Sequence, residues 1–376
     1  MLKKLLLSII CLCSFSAIQA QKSDDHRVIV IMTDGFRWQE VFGGVDTSIV
    51  KVKRFHHGDS ANIIKNYWAP ELAERRAKLM PFFWNTVAKK GQLHGNRSLG
   101  SLVNVANPYW FSYPGYSELL TGQVDTAVNS NDYKANPNTN FFEYLNGMSA
   151  YKGSVAAFGA WDAFDRILNE KRGGFPVVSG FDVVEDLNKD PQMKLISNMQ
   201  KESFKVFGEV EAQDVFTHYQ AMHYLKTKQP KVMYISYGET DEWAHHAHYR
   251  DYLDAAHQVD AWIASIWNWA QSTPGYKDNT YILVTTDHGR GFGDAWTDHG
   301  ADVKGASSIW FGLMGPDKNS KLTTMIGSMQ QQVGGKINLG EQSTNQQLYQ
   351  KQLAATMTKL MGKPFKAAHP IGEPIF

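Results

Sequence analysis

The chain has 376 residues, with 38 Lys and Arg against 37 Asp and Glu, a net charge of +1, 43% hydrophobic residues and two cysteines. So even a balance excludes the electrostatic footprint of a nucleic-acid binder or an anionic-membrane binder, and the length suffices for a large α/β core. Both cysteines, Cys11 and Cys13, fall in the first twenty residues, so the remainder relies on its core rather than on disulfides.

Those residues, MLKKLLLSIICLCSFSAIQA, place Lys3 and Lys4 ahead of an apolar run and Ala20 at a small-residue cleavage point. This pattern predicts a secretory signal peptide over 1–20. The stretch from Leu5 to Ile18 is interrupted by serines and is too short to span a bilayer comfortably. Lipid attachment wants a small residue before the cysteine, whereas Ile10 precedes Cys11 and Leu12 precedes Cys13. Loss of Lys3 and Lys4 with the leader brings the net charge to about -1. The expected product is secreted or periplasmic, with no membrane span after the leader.

Downstream, short apolar runs alternate with longer helical patterns. The runs are Arg27 to Thr33 (RVIVIMT), Gly153 to Phe158, Lys231 to Ser236, Thr280 to Thr285 and Ser308 to Leu313. Runs apolar throughout suit strands covered on both faces. Helices are expected around Pro81 to Lys90, over Ala212 to Lys226, over Asp251 to Trp269 with Leu253, Ala256, Val259, Ile263 and Ile266 on one face, and over Gln346 to Met361. The pattern predicts an α/β fold: a mainly parallel central sheet flanked by helices on both faces. No repeat or linker divides residues 21–376, which read as one catalytic domain. Within it, the polar, irregular stretch 43–79 reads either as a lid or active-site wall or as a solvated surface excursion.

Three of the predicted strands end in acidic residues. The first runs into Asp34-Gly35, the third into Asp241 with His245 four residues on, and the fourth into Asp287-His288, with His299 following in WTDHG. Ligand sites of open α/β sheets lie at the carboxyl ends of strands. Each residue alone has an ordinary structural reading, because Asp caps helices and turns and a lone His is commonly a satisfied core or surface residue. The joint pattern, three carboxylates and three imidazoles at one sheet edge, suits divalent ions such as zinc or manganese. Ser112, in NPYWFSYPGYSELLTGQ, precedes a helical stretch running to Leu120. A helix starting there aims its free N–H groups and positive dipole end at the serine.

The order Asp34, Ser112, Asp241-x-x-x-His245, Asp287-His288, His299 resembles the alkaline phosphatase superfamily. The local match SYPGYSELLTG is similar to the nucleophile segments of nucleotide pyrophosphatase/phosphodiesterases and of sulfatases. The resemblance implies that Ser112 is the nucleophile. It assigns Asp34, Ser112, Asp287 and His288 to one metal ion and Asp241, His245 and His299 to the other, and it implies a phosphoserine enzyme acting on a small-molecule phosphoester. It also implies an asparagine about twenty residues after the nucleophile that binds a phosphoryl oxygen. Asn129 and Asn131 both lie there, and Arg290 is a further candidate for sharing the transition-state charge.

The departures carry weight as well. Sulfatases convert a Cys or Ser followed by Pro and Arg, and here the Arg position is Tyr116. This favours phosphatase or phosphodiesterase chemistry over sulfatase chemistry. A transferase that delivers the phosphoryl or phosphoethanolamine group to an alcohol, and a binding protein that has lost catalysis, are the other readings. Trp38, Trp110, Trp243 and Trp296 lie near proposed ligands and read as core first, as an aromatic wall second. His57 and His257 read as structural, and His245 is preferred over His246 and His248 for its spacing from Asp241.

Overall fold

In RVIVIMT every residue after Arg27 is buried, and alternate side chains enter two different cores. Ile29 and Ile31 belong to one, Val28, Val30 and Met32 to the other. This is the period-two geometry of a strand covered on both sides. The computed structural model describes residues 26–316, 339–343 and 346–375, and the expected leader at 1–20 lies outside them.

The strands are β1 (Arg27–Thr33), β2 (Gln92–His94), β3 (Leu102–Asn104), β4 (Val155–Gly159), β5 (Val177–Ser179), β6 (Val232–Tyr237), β7 (Thr280–Thr285), β8 (Phe311–Met314), β9 (Gly340–Glu341) and β10 (Gln347–Tyr349). Among the described residues eight of them form one sheet in the order β5-β4-β6-β1-β7-β8-β2-β9. The run from β5 to β7 is parallel throughout, and β8 pairs antiparallel with both β7 and β2. Strand β1 is therefore flanked by β6 and β7, and all three release their chains at the same edge.

Helices cover both faces. Against the first core lie α2 (Asp214–Lys228) and α4 (Tyr249–Ser272), the latter burying Leu253, Ala256, Val259, Ile263 and Ile266 at helical spacing. Against the second lie α1 (Ser112–Thr121) and α5 (Leu353–Leu360). A short helix, α3 (Glu239–His245), follows β6 directly. Among the described residues no helix is long and apolar enough to cross a membrane.

One expected helix needs correction. The helix expected over Gln346 to Met361 begins as β10, passes through a tight turn at Gln350–Gln352 and becomes α5 only at Leu353. Its first residues are captured by parallel pairing with β3. The helix expected around Pro81 to Lys90 is present over those residues, with its middle, Phe83–Val87, widened to a π-helix. Its start is held by Asp260, whose carboxylate accepts from the N–H groups of Phe82 and Phe83 at 2.6 and 2.8 Å. The 43–79 stretch is a layer of short helices that sinks Ile49, Phe55, Ile63, Tyr67 and Leu79 into the first core. None of its residues is among those that line the cleft described below.

Candidate active site

Because β1, β6 and β7 are neighbours, residues far apart in sequence meet at their ends. Asp34 follows β1, Asp241 and His245 ride on α3 after β6, and Asp287-His288 follows β7. His288 Nε2 lies 3.3 Å from Asp34 Oδ1, 3.4 Å from Asp287 Oδ2 and 3.7 Å from Asp241 Oδ1. His245 Nε2 lies 3.0 Å from Asp241 Oδ2 and 3.0 Å from His299 Nε2. The approach of the backbones requires glycine at two points. A Cβ at Gly35, where φ is +57°, would meet Asp241 Oδ1 at 2.3 Å, and one at Gly115 would meet the Asp287 carbonyl at 2.4 Å.

Ser112 is the first residue of α1, with its Oγ 3.3 Å from His288 Nε2. The loop before it is fixed by a buried carboxylate on the same helix. Glu118 accepts from the N–H groups of Ala106, Asn107 and Lys351 and from Asn107 Nδ2 at 2.8 to 3.1 Å. Trp110, two residues before the serine, takes the left-handed φ of +56°, and its N–H is bound by Asn107 Oδ1 at 3.0 Å. A large residue held there stores backbone strain next to the serine.

The outer ends of the donors are oriented in turn. His288 Nδ1 faces the Gly289 carbonyl at 2.9 Å and must donate to it, which turns the Nε2 lone pair toward the carboxylates. Tyr116 Oη donates to Asp34 Oδ2 at 2.7 Å, and Gly35 N–H donates to Asp287 Oδ1 at 3.1 Å. Arg290, buried, donates to Asp241 Oδ1 and to the carbonyls of Trp296 and Thr297. Its guanidinium is thus committed to holding Asp241 and the segment leading to His299, and it does not border the cleft.

Two donor triads result, Asp34–Asp287–His288 and Asp241–His288–His299, each with ligand atoms within 4.8 Å of one another. The first contains three of the four residues expected at one ion, and the fourth, Ser112, has its Oγ 3.3 Å from His288 Nε2. In the second His288 appears where His245 was expected, while His245 itself touches both Asp241 and His299. Asp34 Oδ1, Asp287 Oδ2 and His299 Nδ1 are buried and make no hydrogen bond among the described residues. Burial, followed by the Asp34 charge, pushes the Asp287 carboxyl well above its ordinary range. Burial acts on Asp241 in the same direction, but Arg290, His245 and His299 outweigh it and hold that carboxyl well below its ordinary range. His288 is raised to about 9, because Asp287, Asp34 and Asp241 outweigh its burial. Crowded carboxylates, imidazoles and orphaned oxygens of this kind fit divalent cations.

Of these groups Asp34, Asp241, His245 and His299 open, with Ser112, onto a compact cleft of about 160 Å³, and Asp287 and His288 are fully buried behind it. Asn131 borders it and Asn129 does not, being exposed. The Tyr113 N–H donates to Asn131 Oδ1 at 3.0 Å, so the amide NH2 is the end left for a ligand. His246 and His248 are turned away, onto the Glu242 carbonyl and Asp251. His57 stacks on His248, and His257 faces the Leu79 carbonyl. None of Trp38, Trp110, Trp243 and Trp296 lines the cleft, and Trp296 is fully buried core. The tryptophan that does is Trp161, beside Glu211 and Glu242. Sequence reasoning passed over these three: Trp161 and Glu211 reach the cleft from irregular segments that no spacing marks, and Glu242 follows Asp241 directly on α3. Burial, then Glu242 and Asp34, pushes the Glu211 carboxyl well above its ordinary range.

The sulfatase family model matches residues 108–350. No curated protein sequence matches the chain. Among solved structures, the lipoteichoic acid synthase LtaP from Listeria monocytogenes is 11% identical, with a TM-score of 0.54 over 93% of this chain and 74% of that one. The phosphonate monoester hydrolase SpPMH from Silicibacter pomeroyi is 14% identical, with a TM-score of 0.53 over 93% and 76%. The 2-O GAG sulfatase BT1596 is 14% identical, with a TM-score of 0.52 over 93% and 73%. At these identities the likeness is one of fold.

Proposed function

The chain belongs to the sulfatase family, within the alkaline phosphatase superfamily, and we propose that it is an exported phosphoric ester hydrolase, phosphatase or phosphodiesterase, with Ser112 as nucleophile. The observation that carries this reading is the pair of donor triads sharing His288, with the Ser112 hydroxyl 3.3 Å from that imidazole. Two-ion sites are a recurring solution for in-line displacement at phosphorus.

Asp34, Asp287 and His288 would hold one divalent ion, with Ser112 beside it, and Asp241, His245 and His299 the other. When bound, zinc or manganese ions supply charge compensation for the attacking and leaving oxygens. The residues themselves position the reaction. The first turn of α1 presents its dipole to the incoming anion, and Asn131 offers an NH2 donor to an equatorial oxygen. Ser112 Oγ forms a bond to phosphorus as the ester P–O bond breaks and the alcohol departs with a proton. Water then cleaves the phosphoserine and restores the hydroxyl.

The family as a whole leaves sulfate esters as the second reading. Tyr116 weighs against it, since a neutral phenol bound to Asp34 stands where the sulfatase motif has Arg. Export rests on the leader pattern at 1–20.

The test compares purified mature protein on nitrophenyl phosphate, bis-nitrophenyl phosphate and nitrophenyl sulfate, with elemental analysis of bound metal. Phosphoester turnover with two ions per chain, lost by a factor on the order of 1,000 in Ser112→Ala, is expected. Turnover of the sulfate alone would replace this reading with the sulfatase one. Transfer of the phosphoryl group to an added alcohol in preference to water would make the enzyme a transferase.

A further inference from the structure

One carboxylate on the cleft wall has no task in the mechanism above. Glu211 is 7% exposed, borders the same cleft as Ser112, and has no hydrogen-bond or ion-pair partner among the described residues. Its place is built into the fold. Backbone bonds from Asp162 N–H to the Val210 carbonyl (2.8 Å) and from Ala212 N–H to the Ala160 carbonyl (2.9 Å) pin it opposite Trp161. Its Oε1 lies against the α-carbon of Gly238, the residue that follows β6. A Cβ at Gly238 would come within 1.5 Å of that oxygen, so glycine makes the room that the carboxylate fills.

The surroundings decide what it could meet. No Lys or Arg borders the cleft, because Arg290 is spent on Asp241. Glu242 adds a second carboxylate on the same wall. Two divalent ions set against Asp34, Asp241 and Asp287 would leave one positive charge, which the bound phosphodiester takes up, so Glu211 has no counter-charge and Glu242 has only His246 Nδ1 at 4.0 Å. A buried carboxylate without a partner is costly, and a ligand bearing the opposite charge removes that cost. Trp161 borders the same cleft, and an indole there favours an alkylammonium over a compact hydrated cation.

We propose that Glu211, Glu242 and Trp161 form a recognition site for a positively charged ammonium group carried by the substituent of the phosphoester. This makes the preferred substrate class zwitterionic aminoalkyl phosphoesters, and it rests on the phosphoester reading of Ser112. An anionic substituent is repelled by the same pair.

The experiment compares kcat/KM for 4-nitrophenyl phosphocholine with that for 4-nitrophenyl 3,3-dimethylbutyl phosphate, which has the same shape with carbon in place of nitrogen. The wild type is expected to prefer the ammonium ester by about tenfold or more, and Glu211→Gln to bring that ratio close to one with the metal content unchanged. Equal rates in the wild type, or a preference surviving in both Glu211→Gln and Glu242→Gln, would overturn the proposal, as would loss of a metal ion from Glu211→Gln, which would make Glu211 a ligand. Should the variants fail to fold, tetramethylammonium is tested as an inhibitor of wild-type turnover of the neutral ester: inhibition supports the site and its absence overturns it. If neither ester turns over while nitrophenyl sulfate does, the phosphoester reading itself has failed and the proposal falls with it.

Discussion

Tyr116 Oη donates to Asp34 Oδ2 at 2.7 Å, from one turn beyond Ser112 on the same helix. The phenol in turn accepts from Ser236 Oγ at 3.1 Å. The helix that presents the nucleophile therefore also orients a carboxylate of the donor cluster, and Asp34 keeps its other oxygen free. Groups that orient ligands in this way typically contribute 10- to 100-fold to metal affinity. Tyr116→Phe should keep the fold and weaken metal retention by about that factor, read as the chelator concentration that halves activity. An unchanged chelator profile would mean that Asp34 is held by its backbone alone.

Asn131 and Asn129 separate cleanly by position. The first lines the cleft with its NH2 end free, and the second is exposed. Removal of one preorganised donor to a developing charge costs about 100-fold or more in kcat. Asn131→Ala should show such a loss, and Asn129→Ala should stay within about twofold of wild type. Steady-state kinetics on a nitrophenyl ester decides, and the opposite ranking would reassign the phosphoryl contact.

Glu118 ties the loop before Ser112 to α1 and to the chain at Lys351. Substitution by Ala strands the N–H groups of Ala106, Asn107 and Lys351 in a buried setting. The expected loss of stability is on the order of 3 kcal/mol, measured by urea denaturation. The variant that still folds should also lose kcat, because Trp110 is no longer forced into its left-handed turn.

Arg290 acts through Asp241. Arg290→Met keeps much of the volume but removes the guanidinium bonds to Asp241 and to the carbonyls of Trp296 and Thr297. Retention of one of the two ions should fall by about 10- to 100-fold while the other stays. Equal loss of both would show that the two triads are not separable through Arg290.

Two histidines remote from the donor cluster set a pH limit on the fold. Burial lowers His94 to about 3, and burial followed by Lys226 lowers His218 to about 3. Both are folded in the neutral form, and the unfolded chain binds protons more readily from about pH 6.5 downward. Their stabilising contribution is complete above that pH and is lost as pH falls toward 3, at roughly 1.4 kcal/mol per pH unit for each. Urea midpoints should therefore drop between about pH 7 and pH 5, with a shallower slope in His94→Gln/His218→Gln. Midpoints that rose on acidification would contradict the sign.

The sheet and the donor set were legible because their signals are local. An apolar run followed by Asp can be read from residues 27–34, 231–241 or 280–288 without knowing the partner strand. The geometry then made neighbours of the three. What stayed hidden depends on long-range contact. The expected helix at Gln346 lost its first turn to pairing with Leu102–Asn104. Asn129 and Asn131 have the same chemistry and differ only in which one the backbone of Tyr113 captures. Glu211 and Trp161 sit in irregular segments whose only ordering signal is each other.

The central place of β1 also sets the order in which the molecule can assemble. Val28 faces Val232 on one side and Tyr281 on the other, roughly two hundred residues downstream. During synthesis β1 leaves the ribosome before the other strands of the sheet and must wait for both neighbours, an apolar ribbon with two open edges. Long-range closure of this kind is slow and exposes the chain to aggregation. Asp34 cannot meet Asp241 and Asp287 until that closure, so metal capture reports the last stage of folding rather than an early one, and a nascent fragment ending before β7 carries no assembled centre.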